Sequence, residues 1–242
     1  PDGTNINANC GSTHMEELRA RVVYEKADVG LAFDGDADRM LAVDECGEVV
    51  DGDQLMSICG NYMKQKGTLK KNTIVATVMS NLGMFLMGER EGIHIEKTKV
   101  GDRYVLENML ENGYNIGGEQ SGHMIFLDYN TTGDGTLSSL IVSKIVKEDG
   151  KTLSEQSALM TTYPQVLINV DVRNEVKNKF MENDEIRTEI EKLEKLMAGT
   201  GRVLIRPSGT QPLVRVMLEG KDEGQIRELA QELADLIKAK LS

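Results

Sequence analysis

The run Val29-Gly30-Leu31-Ala32-Phe33-Asp34-Gly35-Asp36-Ala37-Asp38-Arg39 joins a short apolar segment to three aspartates at alternate positions. The apolar part predicts a buried strand that ends where the acidic loop begins. The small residues between the aspartates let the backbone fold tightly enough for the three carboxylates to converge. Such a cluster repels itself without a cation, and carboxylate oxygens are preferred ligands of Mg²⁺. The loop therefore predicts a site for one hard divalent ion, Mg²⁺ first, with Asp34, Asp36 and Asp38 as ligands.

The acidic loop has three other interpretations. A calcium EF-hand would use the same aspartates with Glu45 as the last ligand, but the position that must be glycine for the sharp turn is Arg39. A phosphatase with an aspartate nucleophile, here Asp34, also begins this way, although a Gly-Thr pair usually follows the second aspartate and this chain has Ala37-Asp38. A solvated acidic turn is the plain alternative, and the regular spacing disfavours it.

Outward from the loop, strand and helix patterns alternate. A helix is predicted from a cap at Ser12 or Thr13 to about Lys26. After the loop, the predicted elements are a strand Met40 to Val43, a helix from Gly52 to near Gly67, a strand Thr73 to Met79, a helix Leu82 to Glu91, a strand Ile93 to Lys97, a helix Asp102 to Glu111, a strand Tyr114 to Ile116 and a helix from Gly135 to Lys147. This alternation is typical of an α/β domain with crossover helices.

The last part of the sequence has a different rhythm. After a possible boundary near Gly150, the predicted elements are a helix Leu153 to Met160, a strand Val166 to Val172, a helix Asp184 to Met197, strands Val203 to Ile205 and Leu213 to Leu218, and an amphipathic helix from Glu223 onward. The predicted fold class is therefore a mixed-sheet α/β part followed by a small α+β C-terminal domain.

Composition excludes several classes of protein. The 28 Lys and Arg against 39 Asp and Glu give a net charge of -11, which disfavours a nucleic-acid partner. No apolar run is long enough to span a membrane, so no membrane partner is expected. Three cysteines without ligand spacing predict reduced, buried thiols in a cytoplasmic protein.

Two further motifs carry chemistry. Gly117-Gly118-Glu119-Gln120-Ser121-Gly122-His123 places a carboxylate, a hydroxyl and an imidazole between glycines, a composition suited to sugar hydroxyls or to a plain turn. Arg206-Pro207-Ser208-Gly209-Thr210-Gln211-Pro212 lies between two predicted strands and offers the donors that clamp a phosphate, or forms a turn stiffened by prolines. Arg215 follows on the next strand, as a second cation or an edge residue.

Taken in order, the three motifs resemble those of the α-D-phosphohexomutases. In that family one ion bridges three aspartates and a phosphorylated serine, and the phosphoryl group moves between the serine and the sugar. Phosphoryl transfer requires mainly positioning and charge neutralisation, which a bound Mg²⁺ supplies. The resemblance implies that Asp34, Asp36 and Asp38 hold the ion and that Arg39 adds a catalytic cationic contact to the same phosphate.

The resemblance also implies roles for the other two motifs. Glu119 and Ser121 match residues that hold sugar hydroxyls, and His123 matches a position implicated as a general acid or base, a role that imidazole can fill near neutrality. Arg103 and Lys99 are expected to face the active cleft. The phosphate that is not transferred is expected to bind the C-terminal loop through the residues Arg206, Ser208, Gly209, Thr210 and Arg215. This chain departs from the family at Gln211, where most members have Glu.

The resemblance further implies three domains. Residues 1–54 correspond to the C-terminal part of a second, metal-binding domain, residues 55–160 to a third, sugar-binding α/β domain and residues 161–242 to a fourth, phosphate-binding α+β domain. The family's Ser-His-Asn loop, which carries the phosphoserine, has no counterpart here. The sequence is therefore expected to be a piece without the phosphoryl carrier, inactive alone.

Segments around Pro1 to Asn7, Cys10 to His14 and Val100 to Val105 resemble the branch of the family that acts on glucosamine phosphates. That branch interconverts the 6-phosphate and the 1-phosphate, with glucosamine 1,6-bisphosphate as intermediate. Glucose and mannose phosphates remain alternative substrates, and an aspartate-nucleophile sugar phosphatase or a non-catalytic binding module is an alternative function. The sequence leaves a homodimer open.

Overall fold

The chain divides into two compact units, Pro1–Thr161 and Thr162–Ser242, and the computed structural model describes residues 2–209 and 211–241. The N-terminal unit contains α1 (Glu16–Glu25), β1 (Val29–Phe33), β2 (Met40–Asp44), β3 (Val49–Val50), α2 (Gly52–Gln65), β4 (Thr73–Thr77), α3 (Leu82–Glu91), β5 (His94–Thr98), α4 (Asp102–Asn112), β6 (Ile116–Gly118), β7 (Met124–Phe126), α5 (Gly135–Asp149) and α6 (Leu153–Ser157). The C-terminal unit contains β8 (Gln165–Asp171), α7 (Asp184–Met197), β9 (Gly201–Pro207), β10 (Leu213–Gly220) and α8 (Glu223–Leu241).

Two sheets organise the N-terminal unit. The first is antiparallel with the strand order β1-β2-β3, and the second has the order β5-β4-β6-β7. In the second sheet β4 pairs in parallel with β5 and β6, while β7 runs antiparallel to β6. Every residue of β4 is buried, as expected for a central strand of a parallel sheet covered by helices. The predicted mixed-sheet α/β class is therefore confirmed.

Helix α2 begins at a capping box formed by Asp51 and Gln54. Asp51 accepts from the backbone N–H of Gln54, and the Gln54 side chain accepts from the backbone N–H of Asp51. This reciprocal pair satisfies two donors that the first turn of a helix would otherwise leave unpaired. The start of α2 is therefore a fixed platform for neighbouring loops.

The C-terminal unit is a three-stranded antiparallel sheet, ordered β8-β10-β9, with α7 and α8 packed against one face. Helix α7 buries Ile186, Ile190, Leu193 and Met197, which recur every three or four residues and so lie on one side of the helix. Alternate residues of β10, Val214, Val216 and Leu218, enter the same core. The opposite sheet face carries the intervening residues, including Arg215. This arrangement confirms the predicted small α+β domain.

The structure corrects three local predictions. Helix α1 begins at Glu16 with Met15 as its N-cap residue and no side-chain cap, so the predicted cap at Ser12 or Thr13 is wrong. Strands β3 and β7 were not predicted, because two or three residues give too little periodicity. Of the three free cysteines Cys59 is buried, but Cys10 and Cys46 are exposed because they lie in connecting segments outside the helices and strands.

The boundary between residues 54 and 55 falls inside α2 and stays a prediction. Among the residues that the structure describes, no helix combines the length and the apolar character needed to cross a membrane.

Candidate metal and sugar-phosphate site

The acidic loop is a tight connection between β1 and β2. Phe33 and Met40 face each other across the antiparallel pair, so residues 34–39 must reverse the chain within six positions. Ala37 adopts a left-handed conformation with φ 60°, and its N–H donates to the carbonyl of Asp34 at 3.2 Å. An alanine in this region is strained, a feature that concentrates at functional sites. The turn brings one carboxylate oxygen each of Asp34, Asp36 and Asp38 within 4.8 Å of one another.

One cation accompanies these three carboxylates. The backbone N–H of Arg39 donates to Asp34 Oδ1 at 3.2 Å, and its guanidinium Nε lies 3.8 Å from Asp34 Oδ2 and 3.8 Å from Asp38 Oδ1. Asp38 Oδ1 is buried and has no hydrogen-bond partner within the described part of the chain. A buried carboxylate oxygen without a hydrogen bond is costly unless cations compensate its charge, and the Arg39 guanidinium at 3.8 Å is too far away to donate one. The donor set therefore fits a hard divalent cation such as Mg²⁺.

The glycine-rich loop is bonded directly to the end of the acidic loop. The backbone N–H of Met40, the first residue of β2, donates to the carbonyl of Gly122 at 3.1 Å. Gly122 has φ +91°, and a Cβ at this position would lie 2.3 Å from the Met40 carbonyl oxygen. Glycine is therefore required here for both conformation and space. The two motifs are at least 78 positions apart in sequence, from Arg39 to Gly117, and the fold brings them into direct contact.

A second attachment joins the glycine-rich loop to the start of α2. The backbone N–H of Gly52 donates to the Gln120 carbonyl at 3.0 Å, and Gln120 Nε2 donates to Asp51 Oδ2 at 3.1 Å. A Cβ at Gly52 would lie 2.2 Å from the Glu119 carbonyl oxygen. Burial raises the pKa of Asp51, although its hydrogen bonds from Gln54 and Gln120 oppose that rise.

His123, the last residue of the glycine-rich loop, reaches the acidic loop through its side chain. Its Nδ1 lies 3.0 Å from Asp38 Oδ2, and its Nε2 accepts from the backbone N–H of Gly133 at 3.1 Å. Only 3% of His123 is exposed. The start of α5 closes the same corner, since Gly135 donates its N–H to the Ala37 carbonyl at 2.9 Å. The role of His123 as a general acid or base stays a prediction.

The predicted sugar contacts are placed in two different ways. Glu119 lies in the loop, where its Oε1 accepts from the backbone N–H of Gly101 at 3.0 Å, and Ser121 is exposed beside it. Arg103 lies on the surface of α4, where its Nε donates to Glu107 Oε1 at 2.7 Å. Lys99 lies over the ring of Tyr104, 5.7 Å from its centre. Glu119 and Ser121 therefore lie in the loop beside the acidic loop, whereas the Arg103 guanidinium is paired with Glu107 on the same helix.

The predicted phosphate residues belong to the C-terminal unit. Arg206 on β9 and Arg215 on β10 are directly opposite each other, so both project from the sheet face away from the helices. Burial and then the charge of Arg215 lower the pKa of Arg206. Nε of Arg215 is buried without a hydrogen-bond partner among the described residues. Two facing cations with an unused donor favour an anionic ligand on this face.

The loop beyond Arg206 is held by a short turn. Ser208 is buried, its N–H donates to the Leu213 carbonyl, and its Oγ accepts from the backbone N–H of Gln211 at 3.2 Å. Gly209 is exposed at the tip, where a Cβ would meet no atom within 4 Å. The predicted ligand Thr210 lies outside the described residues.

Several residues of these sites were missed by reasoning from sequence. Gly133 leaves space for the His123 ring, and Gly52 leaves space for the backbone of the glycine-rich loop. A lone glycine gives no local sign of a partner so distant in sequence. Lys177 donates to the Gln211 carbonyl at 3.3 Å and brings a further cation to the phosphate loop. Asn169 on β8 faces Arg215 across the sheet and could have been found from the strand register.

Comparison with known proteins places the chain in a family. The family model for phosphoglucomutase/phosphomannomutase, alpha/beta/alpha domain III, matches residues 51–163, and that for the phosphoglucomutase/phosphomannomutase C-terminal domain matches residues 167–236. Phosphoglucosamine mutase of Clostridioides difficile (strain 630) is 60% identical over 242 residues, and that of Thermoanaerobacter sp. (strain X514) is 62% identical over 242 residues. Each alignment covers 100% of this chain and 54% of the relative. The chain thus spans about half the length of these curated relatives.

Solved structures give the same fold. N-acetylphosphoglucosamine mutase of Aspergillus fumigatus, in complex with GlcNAc-6P and magnesium, superposes with a TM-score of 0.76 at 20% identity, over 97% of this chain and 53% of that one. An N-acetylglucosamine-phosphate mutase of the alpha-D-phosphohexomutase superfamily, in its product complex, superposes with a TM-score of 0.72 at 23% identity, over 96% and 53% of the two chains.

Proposed function

Because this chain belongs to the α-D-phosphohexomutase family, we propose that it is the metal-binding, sugar-binding and distal-phosphate-binding part of a phosphoglucosamine mutase. The proposed reaction interconverts glucosamine 6-phosphate and glucosamine 1-phosphate by Mg²⁺-dependent phosphoryl transfer. Its phosphoserine would come from a segment outside these residues. Identity of about 60% to phosphoglucosamine mutases along the whole chain supports this branch of the family.

The observation that carries the proposal is the convergence of three aspartates beside the glycine-rich loop. One oxygen from each of Asp34, Asp36 and Asp38 lies within 4.8 Å of the others, and Met40 and Gly122 bond the two loops together. An ion at the aspartates would therefore lie close to a sugar held by Glu119. A phosphoryl group bridging the two is the chemistry that this proximity favours.

Each residue at the acidic loop has a proposed part in this chemistry. When bound, Mg²⁺ would supply neutralising charge to the transferring phosphoryl group. Asp34, Asp36 and Asp38 hold the cation, and the half-exposed guanidinium of Arg39 is close enough to contact the same phosphate. Glu119 accepts hydrogen bonds from sugar hydroxyls at Oε2, because its Oε1 already accepts from the backbone N–H of Gly101.

Other residues of the chain have proposed binding roles, each within its own unit. Ser121 is an exposed second contact for the sugar, and Arg103 joins it only if its guanidinium leaves Glu107. On the C-terminal unit, Arg206 and Arg215 bind the phosphate that is not transferred, supported by the loop through Ser208 and Gly209. A bisphosphate intermediate, glucosamine 1,6-bisphosphate, must present either end to the serine, and an anchor built from side-chain cations accepts both orientations. We place the protein in the cytoplasm, where amino-sugar phosphates are made.

A direct test measures binding and turnover separately on this chain. Isothermal titration calorimetry should detect binding of Mg²⁺ and then of glucosamine 6-phosphate. Asp36→Asn should weaken the binding of Mg²⁺ at least tenfold. Phosphorus NMR with the bisphosphate added should show no interconversion by the chain alone. Turnover should appear only with a longer protein that includes a phosphorylatable serine. Glucose and mannose phosphates are the matched comparison for substrate preference.

Three outcomes would contradict the proposal. Interconversion by the chain alone would remove the need for an external phosphoserine. Release of inorganic phosphate that Asp34→Asn abolishes would identify a sugar phosphatase with Asp34 as nucleophile. Binding without turnover, even in the longer protein, would identify a binding module.

A further inference from the structure

The imidazole of His123 is enclosed on the sides that carry its two nitrogens. Nδ1 lies 3.0 Å from Asp38 Oδ2, and Nε2 lies 3.1 Å from the backbone nitrogen of Gly133. The ring is also packed against Gly133, where a Cβ would lie 2.4 Å from Cε1 and 2.6 Å from each ring nitrogen. Any other residue at 133 would therefore displace the ring.

These contacts determine which nitrogen carries the proton. A backbone N–H can only donate, so the nitrogen that receives it from Gly133, Nε2, must present a lone pair. The proton then lies on Nδ1 and is donated to Asp38 Oδ2. The opposite tautomer would place two N–H groups face to face at Gly133 and would leave Nδ1 unable to donate to the carboxylate. Asp102 Oδ2, 3.9 Å from Nε2, is too far for a hydrogen bond.

The same bond determines the direction of the Asp38 carboxylate. His123 holds Oδ2, while Oδ1 is buried and has no hydrogen-bond partner within the described ranges. The carboxylate is thereby turned with Oδ2 bound by His123, while Oδ1 lies 3.8 Å from the Arg39 guanidinium, beyond hydrogen-bond distance, and keeps its lone pairs for a metal ion. A histidine that fixes a ligand in this way acts on the metal through that ligand, and the loss of such a contact typically costs 10- to 100-fold in metal affinity.

We infer that His123 is a positioning residue that orients Asp38 as a metal ligand through the Nδ1–H tautomer fixed by Gly133. This role differs from proton exchange with the sugar, because neither ring nitrogen is left to contact a substrate. The metal part of the inference rests on the proposed function, whereas the tautomer does not.

The tautomer can be measured without any metal. The chain has three histidines, and the other two, His14 and His94, are exposed. Long-range ¹H–¹⁵N NMR spectra should show a pyrrole-like Nδ1 and a pyridine-like Nε2 for one ring, which disappears in His123→Asn and persists in His94→Asn. A protonated Nε2 at His123, or the averaged pattern of an exposed ring, would overturn the inference.

Metal affinity tests the consequence, with Mn²⁺ as the probe and electron paramagnetic resonance as the measurement. Asparagine keeps an N–H donor near the place of Nδ1, so His123→Asn should bind Mn²⁺ within about threefold of the parent chain. His123→Ala and Gly133→Ala should weaken binding about tenfold or more, with circular dichroism showing that the fold persists. Equal affinity for His123→Ala and the parent chain would overturn the positioning role.

One control separates this inference from the proposed function. If Asp36→Asn leaves Mn²⁺ binding unchanged, the three aspartates are not a metal site, and the proposed function fails while the tautomer result stands. If Asp36→Asn weakens binding and His123→Ala does not, the metal site stands and the positioning role fails.

Discussion

The acidic loop of the N-terminal unit and the phosphate loop of the C-terminal unit differ in how firmly their neighbours hold them. The acidic loop is hydrogen-bonded to the glycine-rich loop between Met40 and Gly122, and the glycine-rich loop is hydrogen-bonded to the start of α2. Glycines at 52, 122 and 133 leave no room for a Cβ atom. At the phosphate loop two arginines face each other, Nε of one is unpaired among the described residues, and the tip at Gly209 is open.

The difference corresponds to what each proposed ligand demands. A small divalent cation needs its oxygen ligands at short, nearly fixed distances, so the carboxylates must be positioned before it binds. A phosphate presented in two orientations needs charge and several donors with less fixed geometry, which arginine side chains provide. The acidic loop is therefore expected to lose stability when altered, and the phosphate loop is expected to lose affinity.

The largest expected effect compares Gly52, the first residue of α2 and a neighbour of the glycine-rich loop, with Gly209 in the phosphate loop. Gly52→Ala places a Cβ 2.2 Å from the Glu119 carbonyl oxygen and 2.7 Å from the Gly122 nitrogen, both backbone atoms that cannot move away cheaply. We expect it to lower the free energy of unfolding of the N-terminal unit by about 3 kcal/mol, the upper end for overpacking. Urea denaturation followed by circular dichroism measures this loss.

The matched control is Gly209→Ala, where a Cβ meets nothing within 4 Å and φ does not require glycine. This change is expected to leave the free energy of unfolding unchanged or to raise it slightly, because alanine restricts the unfolded chain. Similar losses for the two variants would show that the loops do not differ in rigidity.

Sequence reasoning was strongest where a local pattern determines the structure. The apolar run Val29–Phe33 and the helices Leu82–Glu91 and Asp184–Met197 have the predicted bounds, because hydrophobic period and flanking turn residues specify them locally. The alternation of aspartates likewise predicted their convergence in the acidic loop.

What the sequence could not supply were contacts between distant segments. Nothing local indicates that Gly133 faces the imidazole of His123, or that Gly52 receives the loop at Glu119. Arg103 shows a different difficulty. The family resemblance predicted a sugar contact for it, but in the structure its guanidinium is paired with Glu107, four residues further along the same helix. The partners of a site residue, rather than its identity, had to come from the tertiary structure.

A smaller effect is expected at the arginine pair. Arg215→Met removes one of two facing like charges, so the free energy of unfolding of the C-terminal unit should rise by about 0.5 kcal/mol. Affinity for inorganic phosphate or glucosamine 6-phosphate should fall about tenfold, equivalent to about 1.4 kcal/mol. Calorimetry measures both quantities. Arg227→Met, an exposed arginine paired with Glu223 on α8, is the control and should not change phosphate affinity.

The smallest expected effect is a pH dependence at the platform that holds the glycine-rich loop. Burial raises the pKa of Asp51 in the folded chain, so its stabilising contribution is complete below the pKa of the unfolded chain and is lost as the pH rises through the folded pKa. Asp51→Asn keeps a good cap but cannot titrate. The variant should therefore gain stability relative to the parent as the pH rises from below the pKa of the unfolded carboxyl through the folded pKa. Asp128→Asn is the matched control of opposite sign: the hydrogen bond from Lys70, followed by that from Asn115, lowers the pKa of Asp128, so this variant should lose relative stability as the pH rises. Urea midpoints across this range measure both trends, and parallel trends in the two variants would contradict the assignment of burial as the cause at Asp51.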